Sequence, residues 1–140
     1  MDEAAARAAF DEALKTYRQD FGTFFLARLF GLTFAYVDDT CVVTGTVKDF
    51  MFNPQGWLHG GVIGFVLDVS MGHLLQHTSG AGTTLEMKMQ FLSPAKVGAI
   101  RAVGRFIKRG RSINYLESRV TQDGADIAAG TSTWMLLGKD

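Results

Sequence analysis

The chain has 140 residues, 47% apolar and 20% charged, with 14 Lys and Arg against 14 Asp and Glu. That balance leaves no broad positive surface for a nucleic-acid backbone, and a single cysteine, Cys41, rules out an intrachain disulfide framework or a cysteine-rich metal site. Composition is that of one globular domain, with eleven phenylalanines to fill a core, an interface or a cavity.

The first residues are alanine-rich with early acids, Asp2 and Glu3, where a secretory leader would start basic and turn apolar. Together with the lone cysteine, this predicts a reducing, cytoplasmic setting. Asp2 to about Gln19 reads as a helix, with Phe10, Leu14 and Tyr17 as its apolar stripe. Asp20 is the expected N-cap of a second, short helix through Phe24, Phe25 and Phe30, stopped by Gly31. Leu32–Val37 and Cys41–Val47 read as two strands joined at Asp38-Asp39.

The segment from Asn53 to Asp68, NPQGWLHGGVIGFVLD, passes from a Pro/Gly-marked loop into an apolar helix. The helix is expected to begin near Trp57–His59 and to end near His77. Pro54 holds Asn53 extended, so its amide has a fixed direction, towards His59 or a water. Glycines at a helix start let another molecule approach the free backbone N–H groups, and the helix dipole favours negative charge there. His59 at the joint is placed to hydrogen-bond the loop and set the Gly60 and Gly61 amides, which have the makings of an oxyanion site. Asp68 is the only Asp, Glu, Lys or Arg between Asp49 and Glu86. A lone carboxylate in an apolar helix is costly unless it is bonded or its pKa rises, so Asp68 reads as a general base or nucleophile. Gly60 and Asp68 are eight residues apart, about 12 Å along one helix. Both cannot touch one reacting carbon, so a shared site needs two copies of the helix, as a symmetric dimer supplies. His73 and His77 stand four apart but lack a third metal ligand at convincing spacing, and surface or terminal positions are expected for both. The uncharged run is too broken by Asn53, Pro54, glycine and histidine to span a membrane.

Thr83–Leu92 alternates as a strand, with Leu85, Met87, Met89 and Phe91 on one face and Thr84, Glu86, Lys88 and Gln90 on the other. After the Ser93-Pro94-Ala95 break, Ile100–Lys108 is a strand with Ile100, Ala102, Gly104 and Phe106 on one face. Lys108-Arg109-Gly110-Arg111 is a basic turn. Ser112–Gln122 and Ile127–Leu137 are the last strands, joined through Asp123-Gly124. The order predicts an α+β fold in which an antiparallel sheet wraps one long apolar helix.

Asn53, His59-Gly60-Gly61, Asp68 seven residues after the second glycine, and a strand running into Leu92-Ser93-Pro94-Ala95-Lys96-Val97-Gly98 together resemble the hotdog-fold acyl-CoA thioesterases of the phenylacetate (PaaI-like) type. The resemblance runs from about Phe24 to the C-terminus, dividing the chain into an N-terminal helix (1–20) and a hotdog domain (21–140). It implies a curved six-stranded sheet in the order 1-2-4-5-6-3. It also implies homodimers joined edge to edge, often paired into homotetramers, with active sites at the dimer interface. The implied reaction is hydrolysis of an acyl-CoA to carboxylic acid and CoA, without a cofactor, since CoA is part of the substrate. By this resemblance the Gly60 N–H polarises the thioester carbonyl, Asn53 and His59 support it, Asp68 of the partner subunit attacks or activates water, and the Thr84 hydroxyl helps place that water. Gly61, Lys108, Arg109, Arg111 and Ser112 are the candidate contacts to the CoA portion. Two rival readings are a hotdog hydratase or dehydratase of enoyl or hydroxyacyl thioesters, and a hotdog protein that binds acyl-CoA without consuming it.

Overall fold

The computed structural model describes residues 1–138. Helix α1 (Glu3–Thr16) starts where the Asp2 carboxylate accepts the Ala5 N–H, and it ends three residues short of the expected Gln19. Helix α2 covers only Phe25–Leu29. Asp20 does not cap it. Its carbonyl instead closes a turn onto the Thr23 N–H, and Gly22 at φ +82° takes the chain through a conformation no helix contains. Phe25 joins the two helices, edge-on to Phe10 at 5.5 Å and to Tyr17 at 5.8 Å.

Strands β1 (Thr33–Val37) and β2 (Thr40–Val47) form a hairpin. Both turn residues, Asp38 and Asp39, adopt positive φ, the twist a two-residue hairpin needs. A short 3₁₀ turn at Asp49–Met51 leads through the loop to α3 (Gly60–Thr78). Strands β3 (Gly82–Phe91), β4 (Gly98–Lys108), β5 (Ile113–Gln122) and β6 (Ala125–Leu136) follow. Asp123-Gly124 makes the β5–β6 turn, again with positive φ at both positions. The sheet order is β1-β2-β4-β5-β6-β3, every neighbour antiparallel. This is the expected hotdog architecture, a curved sheet around one long helix.

Helix α3 is seated by close approach as well as by apolar burial. Val66, Leu67, Met71, Leu74 and Leu75 are buried, and so are Ile100 and Ala102 on the predicted inner face of β4. Gly104, on that face, lies under the Ser70 carbonyl, in the space a Cβ would need. The Ser70 and Ser118 hydroxyls meet at 2.6 Å, so a buried polar pair fixes where the helix sits along the sheet.

One strand departs from the simple alternation. Between Thr84 and Glu86 the β3–β6 register slips, and Leu85 is left as a bulge, 52% exposed. The extra residue reverses the side-chain parity along β3. Thr84 therefore faces α3, as Met87 and Met89 do, and does not share the outer face with Glu86 and Lys88. The strand is also an edge of the sheet. No helix among the described residues is long and apolar enough to cross a membrane.

Candidate active site

The loop before α3 is built around Asn53. Its side-chain carbonyl accepts the Gln55 and Trp57 N–H groups at 3.0 and 3.1 Å, and its backbone N–H donates to the Trp57 carbonyl at 2.8 Å. Asn53 makes no hydrogen bond to His59 among the described residues, contrary to one expected direction of its amide: it shapes the loop that delivers His59. That residue is held by its own N–H to the Met51 carbonyl and is the N-cap of α3. Its Nδ1 accepts the Gly61 N–H at 2.8 Å, so the ring proton sits on Nε2. Gly61 is glycine for a local reason, since a Cβ there would lie 3.1 Å from that nitrogen.

With Gly61 capped, the Gly60 N–H has no partner among the described residues. It opens beside a 340 Å³ cavity lined by Asn53, Trp57, Phe91 and Pro94. The Phe91 ring packs against Gly60, 3.3 Å from where a Cβ would stand. A carbonyl oxygen can reach this amide only because nothing projects from it.

Asp68 lies two turns further on, half-buried, with the Thr84 hydroxyl donating to its Oδ1 at 2.9 Å. Burial raises the carboxyl above its usual range, and the Thr84 bond partly opposes the rise. The bulge at Leu85 makes this contact possible by turning Thr84 inward. Asp68 lines a second cavity, of 280 Å³, with Phe21, Phe24, Gly72, His73 and Trp134. Gly60 and Asp68 thus open into different cavities, in agreement with their separation of about 12 Å along the helix.

Lys108, Arg109, Arg111 and Ser112 line neither cavity. Arg109 turns back to the β1–β2 hairpin, 2.7 Å from Asp39, and lies over the Phe106 ring. The Ser112 carbonyl accepts the Leu136 N–H. Lys108 and Arg111 are exposed, and the turn belongs to the C-terminal end of α3, where Arg109 shares a separate cavity with His77.

The histidine pair is a correction. His77 is exposed, stacked on Tyr36 at 3.8 Å. His73 is neither a surface nor a terminal residue. It is 3% exposed, and its Nε2 accepts the Gly22 N–H at 2.9 Å. The reason is tertiary: residues 19–24 fold over the helix at this point and cover it. Cys41 offers no alternative nucleophile, because burial pushes its thiol up to about 12.

The Thioesterase superfamily profile matches residues 55–129, more than half the chain and the whole of α3. The chain belongs to the Thioesterase superfamily. No curated protein matches it by sequence. Among solved structures it is similar to a phenylacetic acid degradation-related protein of Ralstonia eutropha JMP134, with 27% identity over 91% of this chain and 99% of the other, at TM-score 0.77. A Bacillus halodurans protein solved with CoA shares the fold, with TM-score 0.88, 22% identity and coverage of 99% and 95%. So does the Escherichia coli PaaI protein from the phenylacetic acid degradation operon, with TM-score 0.80, 19% identity and coverage of 93% and 96%. The phenylacetate-type hotdog thioesterases are therefore the right frame, and membership of the superfamily supports acyl thioester hydrolysis in general terms.

Within that superfamily frame, the structure joins Asp68 to Thr84 and His59 to Gly61, keeps those two groups apart, and sets the basic turn away from both. His73, with the strap it holds, is the feature the sequence hides. The available signal was a histidine followed directly by Leu74 and Leu75, which are core residues.

Proposed function

We propose that this protein hydrolyses acyl-CoA thioesters to carboxylic acid and CoA at two equivalent sites of a homodimer, each pairing Gly60 of one subunit with Asp68 of the other. The observation that carries the reading is the Asp68–Thr84 pair: a carboxylate with a raised pKa, held by one oxygen, in a largely apolar cavity. Asp68 takes a proton from the attacking water. Negative charge growing on the thioester oxygen meets the Gly60 N–H and the N-terminus of α3, and CoA leaves as its thiol. His59 acts through Gly61, and Asn53 through the loop.

A homodimer is supported by the gap between Gly60 and Asp68 and by the ten-residue strand β3 at the sheet edge, an unpaired edge of the kind another chain can cover. Such dimers pair further into tetramers in the resembling family, and we extend that assembly to this chain. A CoA ester is supported by the CoA found in the B. halodurans neighbour. Lys108 and Arg111 are the proposed partners of its phosphates, because Arg109 already spends its charge on Asp39. The test is thiol release from short, medium, long and aryl acyl-CoAs. Release across part of that panel, with KM rising in high salt, supports the reading. Tight binding of acyl-CoA without release makes the protein a binding module instead.

Thr84 carries its own prediction. Thr84→Val keeps the shape but removes the donor that lowers the Asp68 pKa. Burial then acts unopposed, and the carboxyl rises further. The acid limb of kcat/KM against pH moves to higher pH, with most of the loss at acidic pH and least at the plateau. A limb that stays in place would show that the hydroxyl does not tune Asp68.

A further inference from the structure

The cavity beside Asp68 is roofed by a part of the chain that the hydrolytic chemistry leaves unused. Between α1 and α2, residues 19–24 cross the middle of α3, and Gln19, Asp20, Phe21 and Phe24 form one wall of the cavity. Gly22 makes the bend at φ +82°, and its N–H donates to His73 Nε2 at 2.9 Å. The imidazole is fixed from other directions too, stacked on Phe34 at 4.0 Å and edge-on to Phe21 at 5.1 Å. Burial pushes His73 down to about 4, so near neutral pH it keeps the lone pair that accepts this bond. The opposite wall is equally fixed. A Cβ on Gly72 would fall 2.6 Å from the Trp134 ring, so the indole lies on bare helix backbone, and its N–H is held by Ser132 at 2.6 Å.

On the reading of Asp68 as the hydrolytic base, the group next to the reacting carbonyl enters this cavity. We propose that the 19–24 strap, latched to α3 by His73, is the acyl-size filter of the enzyme: it closes the 280 Å³ cavity against long chains and admits compact acyl groups. His73 also lines the cavity, but its part in the filter is that of a positioning residue, acting through the strap. The N-terminal segment is then part of the site.

The experiment compares wild type, His73→Leu, His73→Gln and Phe21→Ala on hexanoyl-CoA and palmitoyl-CoA, with hydrogen exchange read at the strap amides. Leucine fills the site but accepts no hydrogen bond, whereas glutamine keeps an acceptor. His73→Leu should speed exchange in 19–24 and raise the palmitoyl-to-hexanoyl ratio of kcat/KM about tenfold. Phe21→Ala, at an exposed position that threatens no core, should raise the ratio in the same direction. His73→Gln should return both readouts towards wild type. Simple damage to the fold lowers both substrates together and leaves the ratio unchanged. A constant ratio with a loosened strap overturns the filter, and unchanged exchange in His73→Leu overturns the latch. If wild type releases no thiol from any of the short, medium, long and aryl acyl-CoAs, the hydrolase reading fails and the filter falls with it. Release from others of that panel but from neither of these two overturns the filter alone, and in both cases the exchange comparison still decides the latch.

Discussion

Asp68→Asn lowers kcat by about 10²–10⁴-fold, the range for loss of a positioned general base, and raises the thermal midpoint at neutral pH. The substitution is nearly isosteric, and the amide oxygen still accepts the Thr84 hydroxyl, so the cavity keeps its shape. It cannot take a proton from water. The stability gain follows from linkage. Burial raises the Asp68 pKa in the folded state, so the folded protein binds this proton more tightly than the unfolded chain does. Wild-type stability therefore falls as pH climbs through the ordinary carboxylate range, about 3.9 in the unfolded chain, to the raised folded value, and stays reduced above it. Asparagine has no such cost. The gap in midpoint between variant and wild type is present near neutrality and closes as the pH falls towards the unfolded value. Thiol release and thermal unfolding of the two proteins over a pH series measure both effects. Full turnover in the variant would remove Asp68 from the chemistry. A midpoint equal to or below wild type at neutral pH would show that the buried charge is not a burden.

The parts of this site that are legible in the sequence are those fixed by local spacing. The His59 cap, the glycine pair and the isolated Asp68 all belong to one loop-to-helix segment, and the helix starts at Gly60, just past the expected Trp57–His59. The antiparallel strands follow from alternation and tight turns. What alternation cannot show is a single inserted residue. The bulge at Leu85 reverses the faces of β3, and that reversal alone brings Thr84 to Asp68. Nor can local pattern show contacts between distant segments. His73 and Gly22 are 51 residues apart, and a histidine that reads as surface from its own helix is buried by a strap from elsewhere. The basic turn errs the other way. As sequence it is a cluster of free cations, yet Arg109 is tied to Asp39, 70 residues away, on the neighbouring hairpin. In each case the missing information is which remote backbone lies alongside.

Mixing two inactive variants restores activity. Asp68→Asn lacks the base, and Gly60→Val places a side chain over the oxyanion amide, where even a Cβ would sit 3.3 Å from Phe91. Gly60 is the first residue of α3 and its φ is not positive, so valine is compatible with its backbone. Each variant alone has two defective sites per dimer. Co-expression in equal amounts makes half the dimers mixed, and in a mixed dimer one site joins an intact Gly60 to an intact Asp68 while the other carries both lesions. Thiol release should therefore recover to about a quarter of the wild-type rate, as random pairing of a two-fold symmetric dimer requires. The physical basis is twofold: about 12 Å separates the amide from the carboxylate on one rigid helix, and the two open into separate cavities. If both groups served a site within one chain, every chain in the mixture would still carry a lesion, and the rate would stay at the level of the single variants.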